Sequence, residues 1–328
     1  MLRYNFTNPL FLFKIESMMR QIYILLCLVF LVACDDGDII TVDLEFDKEL
    51  NYCDNNIDSF LIFDLREDPN ESLSVIIPRS TNQEFPYTEP TPADTPHEYT
   101  INGSTNRFIY RTYNRAVGTN ELCEAIAPGT LNIIDDHEAE SGTIYVTVNV
   151  DDDDEDGIPS DIEGRGEMDE NGNYPNAEDF DGDGIPNYQD EDDDNDNVLT
   201  KFETGEIDDE GNPTLDTDGD LILDYLDIDD DGDGINTILE DENGDKNPRN
   251  DQNTNAEDMV IAHYLNPLET TVYDSPGLLE TNEYTRTITA SFFITNFNLD
   301  ILSSPQLDLG ILTYSINIEL EEEEEEED

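Results

Sequence analysis

Positive charge is what this sequence has least of. Across 328 residues, 14 Lys plus Arg stand against 81 Asp plus Glu, a formal net charge of −67. So few cations cannot neutralise a phosphate backbone, which excludes nucleic acid as a partner. The same repulsion keeps the protein body off anionic membrane surfaces. Tryptophan is absent, which weakens any sugar-stacking site. His97, His137 and His263 are scattered without zinc spacing, and neither Cys53 nor Cys123 sits in a CxxC. There is no GxSxG elbow and no phosphate-binding Gly-rich loop before a helix. With no residues that would carry catalysis, the chain is not expected to be an enzyme. The excess negative charge invites cations instead.

What is present begins with a targeting segment. "MMRQIYILLCLVFLVAC" carries one cation, Arg20, and then an apolar run from Ile22 to Ala33. At 1.5 Å per residue that run is too short for a bilayer core of about 30 Å. It ends in Leu31-Val32-Ala33-Cys34, which resembles the lipobox of bacterial lipoprotein signals. The resemblance implies a signal peptide over 1–33, with translation starting at Met18 or Met19, and acylation of Cys34. Asp35, Asp36 and Asp38 follow within a tether of 34–38. An acidic cluster there resembles the surface-export signal of Bacteroidota-type lipoproteins. The location so implied is the outer membrane, lipid-anchored and surface-exposed. Cys53 and Cys123 then remain in an oxidising compartment, where a leftover pair is a disulfide candidate.

Residues 39–150 read as β-structure. "SLSVIIP" puts Leu73, Val75 and Ile77 on one face, and "TIYVTVNV" does the same with Ile144, Val146, Val148 and Val150. The pattern returns over 252–320, where Ile288, Ala290, Phe292 and Ile294 alternate with polar or exposed positions. The C-terminal piece is small for a core of its own, and a domain that accepts an insertion has its chain ends close together. The expected fold is therefore mainly β. One β-sandwich is built from both flanks, and residues 151–251 form an inserted arm of little regular secondary structure that projects from it. The final "EEEEEEED", 321–328, reads as a disordered acidic tail.

The inserted region holds 40 of the 81 acids against four Lys plus Arg, yet it is ordered in sequence. "DFDGDGIPNYQDEDDDNDNVLTKFE" from Asp179 matches "DTDGDLILDYLDIDDDGDGINTILE" from Asp216, shifted by 37 residues without a gap. Each copy contains two 12-residue loops, and a single loop precedes them. The first loop offers Asp152, Asp154, Asp156, Ile158, Ser160 and Glu163 at positions 1, 3, 5, 7, 9 and 12. The second offers Asp179, Asp181, Asp183, Ile185, Asn187 and Asp190, and the third Asp192, Asp194, Asp196, Val198, Thr200 and Glu203. The fourth has Asp216, Asp218, Asp220, Ile222, Asp224 and Asp227, and the fifth Asp229, Asp231, Asp233, Ile235, Thr237 and Glu240. Asp241, Asn243 and Asp245 mark the start of a sixth, weaker site.

This spacing suits Ca²⁺, a hard cation that takes six to eight oxygens at about 2.3–2.6 Å. Acids at 1, 3 and 5 converge when the chain curls tightly, the carbonyl of residue 7 faces the ion, and the acid at 12 closes the shell. EF-hands do not fit, because only Glu191 separates Asp190 from Asp192 and leaves no room for flanking helices. Pro159 and Pro186 also remove the N–H that an EF-hand uses at position 8. Tandem "DxDxDGxxxxxD" loops with "DGIP" and "DYLD" elements resemble the type 3 thrombospondin repeat. That resemblance implies a chain wound around a string of calcium ions, unfolded without them. Position 6 departs from the pattern at Asn197 and Leu221, and leucine tolerates the required turn poorly.

The reading is a calcium-binding, lipid-anchored surface protein whose ion-ordered arm serves adhesion or docking. Its expected partners are calcium ions, the membrane through the lipid, and a surface protein or glycan. An exported isomerase or hydrolase, or a passive calcium reservoir, are the alternatives. Mass spectrometry of the native N-terminal peptide is expected to find Cys34 first and acylated. Cleavage elsewhere, or an unmodified Cys34, would contradict the lipobox resemblance.

Overall fold

Alternating apolar and polar residues commit both flanks to strands, since each strand then has one face to bury. A computed structural model describes residues 46–53, 58–124, 126, 128–254, 259–279, 282–299 and 301–320, without the side chains of 302–305. The signal segment, Cys34, the acidic tether and the acidic tail lie outside the described residues.

The protein is mainly β. The N-terminal flank supplies β1 (Glu49–Cys53), β2 (Ser59–Arg66), β3 (Glu71–Pro78), β4 (His97–Thr100), β5 (Arg107–Tyr113), β6 (Ile133–Glu138) and β7 (Thr143–Asn149). After the acidic region come β8 (Gln252–Thr254), β9 (Val260–Ala262), β10 (Asn282–Leu299) and β11 (Leu302–Leu320). Nine of these form one sheet in the order β4-β7-β10-β11-β1-β2-β3-β5-β6. Both flanks therefore build the same sheet, with the acidic region inserted between β7 and β10. The register sets Ala290 opposite Val148, Phe292 opposite Val146 and Ile294 opposite Ile144. These residues are buried, as are Leu73, Val75, Ile77 and Ile288, so the faces read from the sequence are the core faces.

The sheet curls until its halves share that core. Phe108 of β5 meets Phe297 of β10 edge to face, with ring centroids 5.3 Å apart, although the two strands are distant in sheet order. The two halves of the sheet join where β1 runs parallel to β11. There the Ile311 N–H donates to the Lys48 carbonyl at 2.9 Å. Gly310 makes this approach possible, because a Cβ at that residue would lie 2.3 Å from the same carbonyl oxygen. A one-turn helix, α1 (Thr119–Cys123), brings Cys123 to the end of β1, where it is disulfide-bonded to Cys53. Constraining a loop of 70 residues contributes about 4 kcal/mol in the chain-entropy picture. Among the described residues no helix is long and apolar enough to cross a membrane.

The segment 252–279, expected to belong to the sandwich, stays out of the large sheet. β8 and β9 form their own two-stranded ribbon. The chain then runs back along the repeats: Tyr273 N–H bonds the Leu239 carbonyl at 2.8 Å, Gly277 accepts from Asn197, and Leu279 N–H donates to Asn197 Oδ1. The physical reason is connectivity. The backbone bonds of this strap go to the repeats, so the sheet resumes only at Asn282.

The repeats also do not project freely. The Asn282 side chain accepts from the Glu191 N–H and donates to the Gln189 carbonyl. Arg286, on the inward face of β10, pairs with Asp153 of the first loop at 2.8 Å, and both side chains are 3% exposed. Arg165 joins Asp153 at 3.2 Å. Removing one partner of a buried pair strands the other charge. Arg286→Met is therefore expected to cost about 3 kcal/mol in urea unfolding with calcium present, and adding Asp153→Asn should recover part of the loss. An unchanged midpoint would show that this pair does not hold the repeats to the sheet.

Candidate metal centres in the acidic repeats

Each loop is a tight curl held by its own acids. The backbone is left-handed at position 4 (Glu155, Gly182, Asn195, Gly219, Gly232) and at position 6 (Gly157, Gly184, Asn197, Leu221, Gly234). In four of the five loops the position-6 N–H donates to the position-1 carboxylate at 2.9–3.3 Å. In all five the position-7 N–H donates to the position-5 carboxylate at 2.6–2.8 Å. The position-9 N–H reaches back to the carbonyl just before the loop in every case. Ile158 and Val198 at position 7 are fully buried, anchoring the first and third loops.

These curls bring the predicted acids together. Ligand oxygens of Asp152, Asp154 and Asp156 all lie within 4.8 Å of one another, as do those of Asp179, Asp181 and Asp183, of Asp192, Asp194 and Asp196, and of Asp216, Asp218 and Asp220. In the fifth loop Asp231, Asp233 and Asp229 crowd Glu240, whose carboxyl is pushed up to about 9, first by burial and then by those neighbours. Glu163 is pushed up to about 12 by burial and then by Asp154, Asp156, Asp193 and Asp152. Asp190, at the end of the second loop, rises to about 8 for the same first reason. Burial likewise raises Asp194, Asp196 and Glu203 well above the usual carboxylate range.

The five loops are not equivalent. Buried carboxylate oxygens without any hydrogen-bond partner occur in the first loop (Asp154, Asp156, Glu163), the third (Asp194, Asp196, Glu203) and the fifth (Asp229, Asp231, Asp233, Glu240). Among the described residues none occurs on the acids of the second and fourth loops, where Asp179, Asp218 and Asp220 are exposed to water. A buried charge without partners is costly enough that the site must take up protons or a cation. The donors are all oxygens, which fits a hard divalent ion and not a thiolate- or imidazole-seeking one.

Position 9 has a structural part as well. Ser160, Asn187, Thr200, Asp224 and Thr237 each use a side-chain oxygen to accept the position-2 N–H across their own loop, at 2.7–3.5 Å. They clasp the curl. The sixth loop exists in a shortened form: Lys246 N–H and Gly244 N–H donate to Asp241, and Asn243 reaches Asp251. Sequence reasoning missed the buried acids at position 2, Asp153, Asp193 and Asp230, because the calcium pattern leaves that position open. The available signal was their recurrence in the first, third and fifth loops.

No family model matches this chain, and no curated protein or solved structure matches it.

Leu221 takes the left-handed conformation at φ +84° with its side chain 89% exposed, so no burial offsets the strain. Leu221→Gly is expected to raise the stability of the calcium-loaded chain by about 1 kcal/mol in denaturant unfolding. A loss of stability would mean that the leucine side chain serves a contact of its own.

Proposed function

We propose that residues 152–251 bind calcium, that the ions fix the shape of the repeats, and that the resulting body serves adhesion or docking at the cell surface, anchored through the lipid on Cys34. The observation that carries this reading is the set of buried, unpartnered carboxylate oxygens in the first, third and fifth loops. Calcium is favoured over magnesium because each loop gathers several carboxylate oxygens, and calcium takes six to eight oxygens in a flexible shell. Magnesium prefers a smaller octahedron and keeps its waters. Asp152, Asp154, Asp156 and Glu163 would hold the ion of the first loop, and the corresponding residues would hold the others. A docking role is supported by apolar side chains left exposed on the repeats, Phe180, Leu221, Ile222 and Ile228. A frame fixed by ions presents such side chains without loss of chain entropy on binding.

Calorimetry on the chain lacking its signal segment tests this. Calcium is expected to bind with dissociation constants of about 10⁻⁴ to 10⁻³ M, with the three buried loops filling first and magnesium binding more weakly. Protons leave as the ion enters. Acids raised by burial to about 7 at Asp156, Asp192 and Asp231 and about 9 at Glu240 hold their protons more tightly than free carboxylates. Affinity should therefore fall as pH drops through that range, and the binding heat at pH 6 should depend on the buffer's ionisation enthalpy. Equal affinity for magnesium, or no calcium binding, would overturn the reading.

A further inference from the structure

Position 2 is where the calcium pattern makes no demand, and the five loops fill it with Asp153, Phe180, Asp193, Thr217 and Asp230. In the first, third and fifth loops its backbone N–H is held by the position-9 side chain. Asp153 is accounted for by its pairs with Arg286 and Arg165. Asp193 and Asp230 have no such cation. Each is 1% exposed, and neither oxygen of either carboxylate has a hydrogen-bond partner.

Their surroundings are the acids of an earlier loop. An Asp230 oxygen lies within 4.8 Å of oxygens of both Asp196 and Glu203, which belong to the third loop. Asp193 stands 37 residues before Asp230, the repeat length, and so occupies the equivalent place one unit earlier. The first-loop acids Asp154 and Asp156 head the charges that act on it, and Asp193 in turn acts on Glu163. Three buried carboxylates in mutual contact, with no donor among them, need positive charge at that point.

The geometry points to Asp230 as a metal ligand donated across loops to the third-loop calcium, and the 37-residue repeat gives the buried, unpartnered Asp193 the same part at the first-loop calcium. This rests on the calcium reading above and adds a consequence that five independent loops would lack. The ion of the third loop draws on a residue of the fifth, and the ion of the first on a residue of the third. Filling one buried site orders the loop that supplies a ligand to the next, so the three fill cooperatively. Position 2 then performs one task throughout the odd loops. It fastens each to its neighbour, by arginine at the sheet and by calcium within the repeats.

Calorimetric titration of the full chain with calcium alone tests this in Asp193→Asn and Asp230→Asn, with Asp209→Asn as an exposed bystander acid. Each of the first two variants is expected to weaken one tight site by about tenfold or more and to lower the cooperativity of the rest, while Asp209→Asn binds as the parent does. If the parent binds calcium and both variants match it in affinity and cooperativity, the cross-loop ligands are wrong and the calcium reading stands. If the parent binds no calcium, the calcium reading itself fails. Should Asp230→Asn not fold in calcium, Asp230→Glu and Asp230→Leu decide: a ligand role predicts that only glutamate restores binding, and restoration by leucine would make the residue mere packing.

Discussion

A carboxylate oxygen withdrawn from water with nothing to receive its charge is the constraint on which this molecule turns. Glu163 has two such oxygens, as do Asp193, Asp194 and Asp230. Each costs several kcal/mol if ionised and unpaired. The loops nevertheless place them at their centres, surrounded by other acids. Such a site must take up protons or a cation, and the reading proposed above is that the cation does so. On that reading the curl of each loop and the packing of one loop on another depend on this compensation.

The architecture shows two solutions to one problem. At the sheet, the position-2 acid of the first loop meets an arginine, and the pair is buried because the guanidinium supplies both charge and donors. Further out cations are scarce, since the repeats hold only Arg165, Lys201, Lys246 and Arg249 against their 40 acids. There, buried acids from different loops converge on common points instead. The second and fourth loops, where Asp179, Asp218 and Asp220 face solvent and, among the described residues, no acid has a buried oxygen without a partner, bear less of this burden. Water screens their exposed carboxylates.

Much of this was legible in the sequence, for local reasons. Strand faces such as Leu73-Val75-Ile77 and Ile288-Ala290-Phe292-Ile294 follow from period-2 alternation, which depends only on neighbours along the chain. The loops were legible because metal spacing is local too. The joining of both flanks in one sheet followed from the size of each piece. Long-range features were not legible. Nothing in "TNEYTRTITA" states that Arg286, although it shares the parity of Ile288, reaches an acid more than a hundred residues earlier. The strap over 263–279 lacks periodicity because its partners lie on the repeats and not in a sheet. Asp193 and Asp230 were invisible for the same reason, since their role is set by a loop other than their own. The position-9 side chains were expected as ligands because they carry oxygen, and only the fold reveals which N–H they also hold.

The central claim is that divalent cations hold the repeats together. Small-angle scattering of the chain from Asp35, in chelator and then in millimolar calcium at neutral pH, tests it most directly. The account predicts a larger radius of gyration in chelator, as the acidic loops repel and open, and contraction when calcium is added. Identical scattering curves in the two conditions would contradict it.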